Sequence, residues 1–299
     1  MSPSIRPSLM LPLLLLLATP GAGGAQTQWT EADTRRVVDN VSVLRLAPDL
    51  SHLSQGERTV VVNLLEVGRI FQELYEDQNH PDAIWARARL PEGSPEALLY
   101  RLYQGPVGTN GSNQRVPFML VRPELQGRNV YPIDMTAGEL DAYLAGHSAE
   151  RAQLLDVRTV VRRGTEANLL ADLATLEAQP GLRLLHPGLQ DRLETLRELP
   201  SAGTFYAVPY AVAYAGPLVR VRRLLMASAE AVREEDRDLA AYLRLRADDM
   251  LTSSYEGGDA AWVSGQFNNL NAQIGSYETY DDALYGVKSF YSLSLLVRD

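Results

Sequence analysis

Near the end of this 299-residue chain, Glu278, Tyr280, Asp281 and Asp282 stand beside Tyr277, Tyr285 and Tyr291, with Lys288 close behind. Carboxylates next to phenols suit recognition of a peptide's amino end. A carboxylate pairs with a free ammonium, and a phenolic O–H can donate to a developing oxyanion. On a strand, Glu278 and Tyr280 would project from one face, because side chains alternate with a period of two. Spacing alone leaves a second reading open, in which acidic and aromatic residues crowd a solvated loop at a strand end. Lys288 is the only lysine among 28 lysine and arginine residues. An ammonium on a flexible stem is not interchangeable with a planar guanidinium. The single lysine is therefore either a chance survivor or the answer to a specific need.

Two candidate strands flank these residues, Asn271 to Tyr277 and Lys288 to Val297. The rest of the chain reads mainly as helices. Ser54-Gln-Gly-Glu57 has the form of a capping box, followed at helical spacing by Val61, Leu64, Leu65, Gly68, Phe71, Leu74 and Tyr75. That helix should end before His80-Pro81. Thr136 with Glu139, and Thr165 ahead of Leu169, Leu173 and Leu176, mark two more starts, and Pro187 suits the first turn of another. Longer helices are expected from about Pro217 to Val232, and from Leu239 to a stop near Gly257-Gly258. Glycine and proline punctuate 105–135, which predicts loops and short strands. The fold class that follows is α+β, mostly α-helical, with antiparallel strands around 271–277 and 288–297.

The composition is that of an ordinary globular chain, 45% hydrophobic and 22% charged, long enough for one large domain or two small ones. There are no cysteines, which excludes disulfides and thiolate metal sites. A formal net charge of −9 argues against a general nucleic-acid binder, whose affinity would rest on basic contacts to phosphate. At the start, Arg6 precedes an apolar run from Leu9 to Ala18. Small residues follow, with Gly23 and Ala25 suitably placed for cleavage. The run is short for a bilayer and contains Pro12. Residues 1–25 are thus expected to be a signal peptide, with 26–299 secreted or periplasmic and free of the membrane.

The segment Gly275-Ser-Tyr-Glu-Thr-Tyr-Asp-Asp282, continuing to Gly286-Val-Lys288, resembles the Glu-Ser/Thr-Tyr-x-Asp segment of the dipeptidyl-peptidase III family of zinc peptidases, close to its bacterial members. The resemblance is clearest from about Phe205 to Arg298. Tyr206-Ala-Val-Pro-Tyr210, Arg246-Ala247 and Asp259-Ala-Ala-Trp262 follow the family's order. It reaches back more weakly to Tyr131-Pro-Ile-Asp-Met135 and Leu74-Tyr-Glu-Asp-Gln78. It implies that Glu278 lies near the substrate's N-terminus and that the Tyr280 hydroxyl stabilises the oxyanion. In the family, zinc polarises the peptide carbonyl, and a glutamate of the zinc helix acts as general base on the attacking water.

The chain departs from the family in one respect. It contains no H-E-x-x-H or H-E-x-x-x-H motif, and His52, His80, His147 and His186 are isolated. Ordinary surface or capping histidines are expected at all four positions. Asp248-Asp249 and Asp281-Asp282 sit in no EF-hand-like loop, so solvated acid pairs are expected there. Arg220, Arg222 and Arg223 read as a solvated helix face offset by Glu230, Glu234 and Glu235. Phosphate-loop, dinucleotide-binding and nucleophile-elbow motifs are absent. So is the Arg-Glu-x-x-Glu-Glu helix of the Nudix domains fused to some relatives of this family.

The expectation is an N-terminal portion of a secreted dipeptidyl-peptidase III-like peptidase. Glu278 and Tyr280 would bind substrate, and Tyr280 would be catalytic. The resemblance implies zinc in the complete enzyme, with no metal bound by this chain. The implied partners are a peptide substrate and a separately encoded zinc-binding half. The alternative is a secreted, non-catalytic module that holds peptides or a partner chain through Tyr277, Tyr280, Tyr285 and Tyr291.

Overall fold

The computed structural model describes residues 29–45 and 47–298. The expected signal peptide lies outside these residues. The core is built on the long helix Gln55–Asn79. The Ser54 side chain accepts from Glu57 N and the Glu57 side chain accepts from Ser54 N, so both halves of the capping box are present. The helix stops where expected, with His80 extended ahead of Pro81 (φ −153°, ψ 127°). Its buried stripe runs through Val60, Leu64, Val67, Phe71 and Leu74. Leu65 does not belong to that stripe. One residue further round the helix than Leu64, it is 64% exposed.

Against this helix packs Ala215–Ala231, which packs in turn on Arg237–Thr252. The second of these helices ends earlier than its sequence predicts. Ser253 closes it in a left-handed conformation (φ 61°), and Gly257 and Gly258 lie inside the next helix, Glu256–Ser264. Close approach is what requires a glycine at 258. A Cβ there would stand 2.9 Å from Arg246 Cζ and closer still to Asp249 Oδ2. The basic cluster also finds partners other than those expected. Arg220 pairs with Glu66 and Arg222 with Asp248, while Glu230 and Glu234 are taken by Arg233.

Among the described residues, three antiparallel two-stranded sheets accompany the helices: Val107–Thr109 with Arg115–Pro117, Thr159–Gly164 with Ser201–Pro209, and Leu270–Glu278 with Phe290–Val297. The last pair and the short strands of the 105–135 region match the sequence reading. The middle pair was not expected. Its signal was Thr-Val-Val facing Phe-Tyr-Ala-Val, two short runs about 40 residues apart with no turn to pair them. Pro187 does not open a helix either: Leu189–Glu198 starts after Gly188, which is left-handed (φ 81°). A smaller apolar cluster of Leu169, Leu176, Leu182, Leu193, Tyr206 and Val208 packs behind the middle sheet. None of the described helices is long and apolar enough to cross a membrane.

Candidate functional site

The C-terminal hairpin presents Glu278 and Tyr280 at its turn. The register breaks between Ser276 and Glu278, and Glu278 is the last residue of its strand, opposite Phe290. Tyr280 lies beyond the strand in a turn. The two side chains therefore do not share a strand face, because the irregularity and the turn interrupt the alternation on which that expectation rested. Both are exposed, Tyr280 by 76%. Desolvation, then Asp281 and Glu278 beside it, raise the Tyr280 phenol above its ordinary value. A phenol that keeps its proton is a donor.

The following residues lock this turn. Asp282 is not a solvated acid but a hub with 3% exposure. Its Oδ1 accepts from the backbone N–H groups of Leu284 and Tyr285, at 3.0 and 3.1 Å. Its Oδ2 accepts from those of Val287 and Lys288 and from the Tyr131 hydroxyl, at 3.0, 2.9 and 3.0 Å. A short loop thus wraps around one carboxylate, which satisfies backbone donors that the loop itself cannot pair. Asp281 is tied from outside. Its carboxylate accepts from the Tyr75 hydroxyl at 3.0 Å, and its carbonyl accepts from Arg128 Nε at 2.7 Å.

Lys288 is fully buried, and its Nζ donates to Leu154 O, Asp156 O and Thr159 Oγ1 at 2.7, 2.8 and 2.7 Å. It does not enter the cleft as a charge for substrate. It joins the turn to the body.

The neighbouring aromatics also have structural work. Tyr291 is buried in the core. Tyr285 donates to Asp141 Oδ1 and Ala137 O. Tyr277 donates to Asp259 Oδ1 at 2.5 Å. Of the four tyrosines expected to line a binding surface, Tyr291 is thus buried, Tyr277 and Tyr285 are half-buried with their hydroxyls bonded within the chain, and Tyr280 is exposed. Asp259 and Asp249 flank the buried Arg246, at 2.7 and 2.9 Å. Burial pushes Asp249 up to about 6 even beside that guanidinium. Only Asp248 of that acid pair is exposed, so the solvated-pair expectation fails at 249. Next to the cluster, Gly275 takes a φ of 151°, and a Cβ there would stand 2.7 Å from Tyr255 and 2.8 Å from Tyr277.

Beside the turn lies a polar cleft of about 300 Å³, lined by Tyr75, Asn79, Gln104, Arg115, Arg128 and Asp281 among others. Glu124 bridges the two arginines. Burial, then the Asp281 charge, raises the Tyr75 phenol to about 12, so it too stays a donor. Tyr75 and Tyr131 fall in segments that carry the weaker family resemblance, whereas nothing in the sequence marks Arg128. Its link to Asp281 spans 153 positions and has no periodicity to betray it.

A zinc site does not fit the described residues, among which no three His, Cys, Asp or Glu side chains converge. His80 Nε2 bonds Arg122 O, and His186 Nε2 bonds Leu251 O. His147 stacks on Tyr143 at 4.0 Å, and His52 is exposed. His80 is buried rather than superficial, although it does cap the long helix.

The sequence matches no protein-family model. It is 27% identical over 195 residues to Nudix hydrolase 3 of Arabidopsis thaliana, covering 64% of this chain and 22% of that protein. The structure is similar to that of DPP III from Caldithrix abyssi, with a TM-score of 0.70 and 25% identity, over 89% of this chain and 44% of that one. It is also similar to dipeptidyl-peptidase III from Corallococcus sp. strain EGB, with a TM-score of 0.69 and 21% identity, over 89% and 43% of the two chains. The chain thus spans less than half the length of the solved structures it matches. Over nearly nine-tenths of its own length, it has a dipeptidyl-peptidase III-like fold.

Proposed function

We propose that this chain forms the peptide-recognition side of an exported zinc peptidase that acts at the amino end of peptides, as the dipeptidyl-peptidase III resemblance implies. Glu278 pairs with the substrate's free ammonium, and the Tyr280 hydroxyl donates toward the carbonyl oxygen under attack. The single observation that carries this reading is the exposed Glu278–Tyr280 turn, immobilised from behind by Asp281 and Asp282, within a dipeptidyl-peptidase III-like fold. Exposed side chains on a rigid support suit recognition. In this reading the chain is of the bacterial type, and zinc and its general base belong to the complete enzyme, contributed by a separately encoded C-terminal zinc-binding half. The chain alone is then inactive.

Calorimetric titration with an unblocked tetrapeptide and its N-acetylated twin tests the recognition step. The unblocked peptide should bind roughly tenfold more tightly, as expected for a charge-assisted bond to Glu278. Glu278→Gln should erase the difference. Equal affinity for the two peptides, or none for either, would sink the reading. Sequencing the amino end of the protein recovered outside the cytoplasm tests export, which predicts a start near Gln26.

A second reading, a non-catalytic peptide-binding module, draws support from the lack of converging metal ligands among the described residues. Zinc-dependent release of dipeptides by the purified chain would rule it out, and would equally refute the predicted inactivity of the chain alone.

A further inference from the structure

The single lysine supplies a connection that the peptide-recognition reading has not used. An ammonium has three N–H bonds, and Lys288 aims all three at oxygens: Leu154 O, Asp156 O and Thr159 Oγ1. The three acceptors are uncharged and converge on a fully buried atom. A planar guanidinium cannot present three donors to one such point, which gives the arginine-rich chain a physical reason to hold a lysine here.

The 154–159 segment grips both arms of the hairpin. On one arm, Lys288 N donates to Asp282 Oδ2 and Asp282 N donates to Thr279 O, between Glu278 and Tyr280. Ser289 N donates to Val157 O at 2.9 Å. On the other arm, Arg158 Nε donates to Ser276 O at 3.2 Å, while Ser276 and Ser289 share a hydroxyl bond of 2.8 Å.

We propose that Lys288 is a positioning residue: its ammonium holds the turn bearing Glu278 and Tyr280 against the 154–159 segment, and one of its three ties is lost when it gives up a proton. Its functional meaning rests on the peptide-recognition reading above. The proton leaves Nζ for solvent, and the neutral amine keeps two N–H bonds and a lone pair. One oxygen then loses its donor, because two of the three partners are carbonyls that cannot donate to the lone pair, and the Thr159 hydroxyl already donates its proton to Gln153 O at 3.1 Å. Asp156 from the gripping segment and Asp282 from the lysine's own loop face the ammonium, with the Tyr131 ring 5.5 Å away. Burial outweighs those two carboxylates and draws the lysine down to about 7, so the proton exchanges near neutrality.

Because the chain holds one lysine, labelling lysine with ¹³C at Cε gives a single lysine resonance for the full chain. That resonance and the amides of Thr279 and Tyr280 are followed from about pH 5.5 to about pH 9.5, a window in which a lysine at its ordinary value would stay almost fully protonated. The expected result is one midpoint near 7, shared by all three signals. Lys288→Met and Lys288→Arg should both leave the two amides without that titration, the first having no proton to lose and the second keeping it throughout. A lysine resonance that shows no midpoint within this window overturns the proposal. So does a lysine that titrates while the amides stay still, or a Thr279 titration that survives in either variant. Should either variant fail to fold, the wild type decides, because its lysine and amide midpoints are read from one sample.

Affinity for the unblocked peptide should fall about tenfold one pH unit above the midpoint, where roughly a tenth of molecules keep the proton. This fall is measured relative to Lys288→Arg, so that titration of the peptide's own amine cancels. A shared midpoint without any peptide binding would leave the clamp standing and remove the recognition reading. Peptide binding with amides that ignore pH would do the reverse.

Discussion

Tyr131 donates its phenolic proton to Asp282 Oδ2 at 3.0 Å, joining the segment ahead of the Ala137–Gly146 helix to the turn that carries Glu278 and Tyr280. Both residues are buried. Burial, and next the Asp282 charge, push the phenol well above its ordinary value, so it remains a donor at any pH the folded chain meets. The exposed turn thus rests on an interior bond between residues 151 positions apart.

Removing that acceptor should be severe. Asp282→Ala leaves four backbone N–H groups and the Tyr131 hydroxyl without their acceptor. A loss of about 3 kcal/mol is expected, since each unsatisfied buried donor carries its full desolvation penalty. Urea denaturation measures it. A loss under about 1 kcal/mol would mean that water replaces the carboxylate and that the loop is not built around it.

Two adjacent glycines should respond differently to alanine. At Gly258 the added methyl meets Arg246 and Asp249, and a destabilisation of about 2 kcal/mol is expected. At Gly257 the nearest atom is Leu245 Cδ2 at 3.8 Å, so helix propensity should make the change neutral or stabilising by up to ~1 kcal/mol. Equal shifts in the urea midpoint would contradict the close packing at 258.

Tyr277 and Tyr280 differ in kind as well. Tyr277→Phe removes the bond to Asp259 Oδ1, beside a buried arginine, and should cost about 1–2 kcal/mol. Tyr280→Phe removes a hydroxyl that bonds to no described residue and should stay within about 0.5 kcal/mol of the parent. Thermal melts of the two variants, run beside peptide titrations, separate the structural tyrosine from the one proposed to meet substrate. A large thermal loss in Tyr280→Phe would count against that division.

Lys288 links stability to pH with a definite sign. Its value in the fold is about 7, against an ordinary 10.5, so in that window the unfolded chain binds more protons than the folded one. Stability therefore rises with pH, by up to about 1.4 kcal/mol per unit, as the cost of burying the charge falls away. The wild type should gain on Lys288→Met between about pH 7 and pH 9.5, while the turn itself loosens locally. Urea midpoints that run parallel for the two proteins across that range would refute the lowered value.

What the sequence determined by itself was whatever depends on neighbours along the chain. The Ser54 capping box, the stop before Pro81 and the Thr165 cap rest on contacts a few residues apart, and the final hairpin on two strands adjacent in the chain, which capping chemistry and periodicity reveal. The composition of the Glu278–Asp282 segment also marked it as a candidate site. Only the tertiary structure decided what each of its residues does. Asp282 looks like half of a solvated acid pair until Tyr131 is brought to it, and Lys288 looks like a neighbour of Glu278 until the 154–159 carbonyls surround its ammonium. Tyr285 and Tyr291 similarly lose their freedom to partners far away in sequence. Gly257 and Gly258 read as a helix stop, because glycine breaks helices wherever nothing crowds it. Here the crowding by Arg246 and Asp249 outweighs that propensity, and crowding is a property of space rather than of sequence order.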